Sequence, residues 1–187
     1  MGIVNGTTNY ILPKMFEENI DFKTALAKAT ELGYAEADPT ADVEGLDAGR
    51  KAAILSSIAF HSRVQFKDVY TEGITKITAE DIAYAKEFDC VIKLLAVAHN
   101  TDKGIEVGVY PVLLGKEHPL SSVRDSFNAV FVHGDAVDDA MFYGRGAGEM
   151  PTASAVVGDV IDVARNLQFG CCLLYTSPSP RDYAASR

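Results

Sequence analysis

Two residues at helical spacing raise the question of chemistry in this chain: Asp47 and Lys51, four positions apart. On a helix that spacing puts both side chains on one face, about a turn from each other. Just upstream the chain carries Glu36, Asp38, Asp42 and Glu44, and negative charge is favoured at the start of a helix. Carboxylates gathered around one amine suit a small zwitterionic substrate. The acids would hold its ammonium group, and the lysine would exchange a proton with a neighbouring hydroxyl or carbonyl. The same residues also describe an acidic helix start followed by an ordinary surface ion pair, a common and weak arrangement. Spacing alone does not separate the two.

The elements that must position these residues can be read on either side. Gly33 ends a helix, and Pro39 and Gly45 keep the following segment irregular. A helix is predicted from Leu46 to Phe60, with Ala48, Ala52, Leu55 and Ala59 along one side and Ile54 and Ile58 broadening the stripe. Gly49 interrupts it, at a cost of roughly 0.5–1 kcal/mol. Nearer the start, Ile3 and Val4 end a strand or buried segment, and Asn5-Gly6-Thr7-Thr8 supplies turn and cap chemistry. A helix capped by Thr8 or Asn9 should bury Tyr10, Ile11, Met15 and Phe16, with a kink or local break at Pro13. Asp21 caps a second helix ending at Gly33, and Thr78 opens another over EDIAYAKEF.

From Val91 the pattern becomes sheet-like. VIKLLAVAH, GIEVGVYPVLL, NAVFVHG and AMFYG are candidate strands, the first covered on both faces and the second on one. A short helix from Pro119 to Asp125 falls between the second and third strands. Gly144, Gly146 and Gly148 make a loop, Pro151 suits the first turn of a helix, and Ala153 to Ala164 continue it. The fold class expected is α+β: an antiparallel or mixed sheet with helices packed on one face.

The 187 residues suffice for one well-buried domain. A formal net charge of −9 argues against nucleic acid or an anionic membrane as partner. No apolar run reaches spanning length and no signal peptide is visible. Cys90, Cys171 and Cys172 form neither a disulfide framework nor a zinc pattern, which fits a reducing cytoplasm and no metal site. Cys90 reads as a small buried residue. His61, His99, His118 and His133 lack ligand spacing and read as structural or surface residues. The glycines at 144, 146 and 148 do not follow the order of the dinucleotide fingerprint, and no βαβ unit precedes them. Residues 1–166 are expected to form the domain. Residues 167–187, rich in Ser and Pro towards their end, read as a disordered or non-native tail.

Several blocks together resemble the homoserine dehydrogenase family: GIVNGTTNYIL, LGYAEADPTADVEGLDAGRKAAIL, EGI with its following isoleucine, HPL with the downstream NAV, and YGRGAGEMPTASAVVGDV. The similarity covers nearly all of residues 2–166. It implies a domain for substrate binding, catalysis and dimerisation, in an enzyme that interconverts L-homoserine and L-aspartate 4-semialdehyde with NAD(P)H on the route to threonine, methionine and isoleucine. Under it, Lys51 is the proton donor or acceptor at the reacting oxygen and Asp47 holds substrate and lysine together. Glu36 binds the substrate ammonium group, and Asp42 and Tyr34 complete the substrate pocket. Gly146 and Gly148 lie by the nicotinamide, and Asn5 and Thr7 belong to a hinge beside the cofactor. In the family GIVNGTTNYIL follows the dinucleotide-binding domain, so the resemblance implies a fragment without that domain and without activity of its own. A homodimer is expected. The rival expectations are a non-enzymatic amino-acid-binding or oligomerisation module, and a related semialdehyde dehydrogenase domain.

Overall fold

A six-stranded sheet organises the chain, in the order β2-β4-β3-β1-β5-β6. The computed structural model describes residues 1–169. Its strands are β1 (Gly2–Ile3), β2 (Tyr70–Thr71), β3 (Cys90–Thr101), β4 (Gly104–Gly115), β5 (Phe127–Gly134) and β6 (Asp138–Arg145). Its helices are α1 (Gly6–Glu18), α2 (Phe22–Glu31), α3 (Thr40–Val43), α4 (Leu46–Ala59), α5 (Ala79–Glu87) and α6 (Glu149–Phe169). All neighbouring strands are antiparallel except β2 and β4, so the sheet is mixed, as the fold-class expectation allowed.

The main core forms where α1, α4 and α5 cover one face of the sheet. Ile11, Leu12 and Met15 of α1 meet Ala48, Ala52 and Ala53 of α4, Ile82 and Ala85 of α5, and Ile92, Leu94 and Val109 of the sheet. The small alanine face of α4 lets that helix lie close to its neighbours. Each fully buried aliphatic side chain here contributes about 1.5–3 kcal/mol. A second apolar cluster, with Ile3, Leu95, Val97, Leu114 and Ala129, occupies the other face. Leu120 and Val123, from the Pro119–Ser122 turn and the residue after it, join that cluster. Tyr110, Val112 and Phe131 pack on it while half-buried. β3 is thus covered on both faces, as its apolar run, interrupted only by Lys93, predicts. β4, predicted to have one buried face, also contributes to both clusters.

Helix α1 differs from its expected form. Its cap is Asn5, whose Oδ1 accepts from the Thr8 backbone N–H at 2.9 Å, rather than Thr8 or Asn9. The helix runs unbroken through Pro13 to Glu18. A proline withdraws one backbone donor, and the buried residues on both sides of Pro13 keep the helix seated. The caps at Asp21 and Thr78 form as predicted, the latter as a capping box with Asp81. β1, β2 and α3, each of two to four residues, have no periodic signature, and their partners define them. Cys90 is half-buried, not buried. α6 starts earlier than predicted and continues to Phe169, with Val156, Val157, Val160 and Ile161 exposed. Residues 170–187, including Cys171 and Cys172, lie outside the described residues.

Because β1 ends at Ile3, no strand pairs with Val91–Leu94 on that side of β3. Lys93 fills the opening and is only 2% exposed. Its Nζ donates to Asn9 Oδ1 at 2.9 Å and to the Val123 carbonyl. Asn9 Nδ2 donates in turn to the carbonyls of Asp125 and Phe127 at 3.0 and 3.2 Å. The first two turns of α1 are therefore tied to β3 and to the start of β5. Burial pushes the Lys93 ammonium down to about 8, against the upward pull of Asp125.

Candidate active site

The C-terminal end of β1, the N-terminal end of α4 and the short helix α3 converge on one acidic cluster. Asp47 and Lys51 sit a turn apart on α4, as their spacing requires, with Lys51 Nζ 2.8 Å from Asp47 Oδ2. The same Nζ donates to the Val4 carbonyl at 3.1 Å. An ammonium group has three protons, so one donor of Lys51 has no partner among the described residues. The Lys51 side chain is about half exposed and that of Asp47 about a third. The pair borders solvent rather than being sealed in the core.

Asn5 and Thr7 join this cluster. Asn5 Nδ2 donates to Asp42 Oδ1 at 2.7 Å and to Asp47 Oδ2 at 3.0 Å. Thr7 Oγ1 lies 2.7 Å from the Tyr34 carbonyl and 2.9 Å from Asp42 Oδ2, its single proton serving one acceptor at a time. The Tyr34 ring stacks on Tyr10 with centroids 4.6 Å apart, which fixes the loop after α2 against α1. Five of the candidate site residues, Asn5, Thr7, Asp42, Asp47 and Lys51, thus share one network, and Tyr34 reaches it through its carbonyl.

The remaining candidates stand differently. Glu36, two residues beyond Tyr34, is exposed and makes no hydrogen bond or ion pair among the described residues. Two residues of chain reach at most about 7 Å, so its backbone stays close to Tyr34. Asp38 serves locally, its Oδ1 accepting from the Thr40 backbone N–H at 3.1 Å to start α3. Glu44 is exposed beside Tyr70, Glu72 and Gly73. Gly146 and Gly148 make no contact with the carboxylates, but they lie at the same end of the sheet. β1 runs towards Asn5, β5 starts at that end and β6 finishes there, so two strand spacings, together roughly 10 Å, separate the end of β1 from the end of β6 that leads into the glycine loop.

Close backbone approach explains two glycines. A Cβ on Gly146 would meet the Asn128 amide at 2.0 Å, so Asn128 fills the space under the loop. Asn128 Oδ1 is a buried acceptor with no hydrogen-bond partner among the described residues. A Cβ on Gly73 would meet the Val43 carbonyl at 2.1 Å. Beside it Ile74 is fully buried, and its N–H donates to the same carbonyl at 2.7 Å. The EGI block is therefore a strap that holds the α3–α4 segment, and with it Asp42, in place. Sequence reasoning left this role unassigned, and it missed the contact of Asn5 with the carboxylates. The preference of Asn for helix N-caps could have located Asn5. Links across 37 and 42 residues leave no local pattern. The four histidines stay away from the network, and no group of acidic, His or Cys side chains among the described residues could hold a metal ion.

Fold and site together define an α+β domain in which a lysine paired with Asp47 joins an acidic network at the end of a mixed sheet where the glycine loop also opens. The chain belongs to the homoserine dehydrogenase family, whose model matches residues 1–161. A homoserine dehydrogenase of Corynebacterium glutamicum is 57% identical over 175 residues, covering 91% of this chain and 39% of that protein. The crystal structure of a homoserine dehydrogenase from Thiobacillus denitrificans superposes with a TM-score of 0.87 at 49% identity, over 89% of this chain and 39% of that one. A hyperthermophilic archaeal homoserine dehydrogenase mutant in complex with NADPH gives a TM-score of 0.72 at 27% identity, over 88% of this chain and 46% of that one. The chain spans about 40% of the length of the curated relatives it matches. No helix among the described residues is long and apolar enough to cross a membrane.

Proposed function

We propose that this chain supplies the substrate-binding and proton-transfer half of a homoserine dehydrogenase, acting on L-homoserine and L-aspartate 4-semialdehyde with NAD(P)H. The observation that carries the reading is the Lys51 ammonium group, held at 2.8 Å by Asp47 with one proton uncommitted at the edge of the acidic cluster. Glu36 and the free Oδ1 of Asp47 are the acceptors for the substrate ammonium group, with Asp42 and Tyr34 shaping the pocket wall. The nicotinamide cofactor, when bound, supplies a hydride to the aldehyde carbon in one direction and takes it back in the other. The rest of the step belongs to this chain. Charge developing on the carbonyl oxygen is stabilised by Lys51, which gives that oxygen its proton, and the same amine takes the proton in reverse. Asp47 keeps the amine in place throughout.

The residues at the glycine loop suit the nicotinamide end of such a cofactor. Gly146 leaves the loop without a side chain, and the buried Asn128 Oδ1, without a partner among the described residues, lies at its foot. The other determinants of cofactor binding belong to a separate dinucleotide-binding domain, and the chain alone carries no dehydrogenase activity. Two copies pair through the second sheet face, where Tyr110, Val112 and Phe131 are half-buried. Calorimetric titration of the purified chain with L-homoserine tests the reading, alongside an assay of NAD(P)H turnover. Homoserine binding without turnover is expected. A chain that binds no homoserine, or that oxidises NAD(P)H unaided, contradicts it.

A further inference from the structure

We infer that Asn5 is a positioning residue of this site: its side-chain amide braces Asp42 against Asp47, and Asp47 so braced presents Lys51 to the substrate. The inference rests on the functional reading above for its substrate and on geometry alone for the brace. One nitrogen, Asn5 Nδ2, lies 2.7 Å from a carboxylate oxygen of Asp42 and 3.0 Å from one of Asp47. Two like charges so close repel, and each of the two N–H groups of the amide offsets one of them. The orientation of the amide is set from its other end. Asn5 Oδ1 accepts from the Thr8 backbone N–H at 2.9 Å and from Thr8 Oγ1 at 3.0 Å, so the nitrogen must face the acids.

The brace is itself held rigidly. Asn5 is 5% exposed, at the junction of β1 and α1. One turn on, Asn9 is locked by Lys93 and by the carbonyls of Asp125 and Phe127. Thr7 steadies the second oxygen of Asp42. The oxygen of Asp47 that receives Asn5 is also the one that receives Lys51, so any drift of Asp47 moves the amine with it.

The chemistry of the cap supplies a clean test, because the two ends of the amide do different jobs. Asn5→Ser and Asn5→Asp both keep a side-chain oxygen for the cap on Thr8, so α1 is retained, while neither can donate to both acids. The full 187-residue chain is examined by NMR at low temperature, first without ligand and then with L-homoserine. In the wild-type protein the two Asn5 amide protons exchange slowly with solvent, and Lys51 gives a resolved ammonium resonance. In both variants the Lys51 resonance broadens or disappears, and homoserine binds about tenfold more weakly, the loss expected for a hydrogen bond to a charged group. Added charge alone in Asn5→Asp would tighten the hold on an ammonium group, so the direction of the change separates bracing from simple electrostatics. An unchanged Lys51 resonance in Asn5→Ser overturns the inference, and so does tighter homoserine binding by Asn5→Asp. Rapid exchange of the Asn5 amide in the wild-type protein overturns it even if the variants do not fold. A wild-type chain that binds no homoserine defeats the functional reading, while the ligand-free resonances still decide the role of Asn5.

Discussion

Lys51 and Asp47 show how far a local pattern reaches. Their four-residue spacing fixes both the shared helix face and the ion pair, and the 2.8 Å contact follows directly. Neither the loop acids nor Asn5 obey such a rule. Four carboxylates precede α4 with similar spacing, yet they diverge: Asp42 turns inward to Asn5 and Thr7, Asp38 starts α3, and Glu36 and Glu44 face solvent. What sorts them is contact with α1 and with the Gly73–Ile74 strap, which lie far away in sequence. The uncommitted carboxylate of Glu36 carries the residue-scale prediction. Glu36→Gln removes a charge that has no partner among the described residues, so folding is untouched and homoserine affinity falls by about tenfold or more, the cost of a charge-assisted contact. Titration calorimetry on the variant checks this, and wild-type affinity would remove Glu36 from the site.

At the scale of elements, helices with caps and long apolar strands were legible, because each carries its signal within itself. Asp21, Thr78 and the apolar run from Leu94 to Ala98 are examples. β1 and β2, of two residues each, were not, since only their neighbours make them strands. The shortness of β1 has an energetic consequence in the burial of Lys93. Its folded value of about 8 lies below the ordinary lysine value of 10.5. The native state therefore binds fewer protons than the unfolded chain between those limits, and stability rises as pH increases from about 8 to about 10.5. Below that window the full cost of the buried charge is present, up to about 3 kcal/mol. Denaturant unfolding across this range should show the slope in the wild-type protein and lose it in Lys93→Met. Parallel pH profiles for the two proteins would show that Lys93 does not carry it.

For the whole molecule, the two faces of the sheet divide the work. One face buries the helices that aim the acidic cluster, and the other carries half-buried Tyr110 and Phe131, the face proposed for pairing with a second copy. Sedimentation velocity should find a dimer of the chain, and a monomer at all concentrations would remove that pairing. The cluster itself is proposed to grip a hydroxy amino acid while a lysine moves its proton. The most direct measurement replaces the matching segment of the Corynebacterium glutamicum relative with residues 1–169 and compares this chimera with its Lys51→Ala form. The account predicts a kcat lower by roughly 10²–10⁴-fold in a folded protein. Turnover within about twofold of the parent chimera, far short of that general acid–base effect, would contradict it.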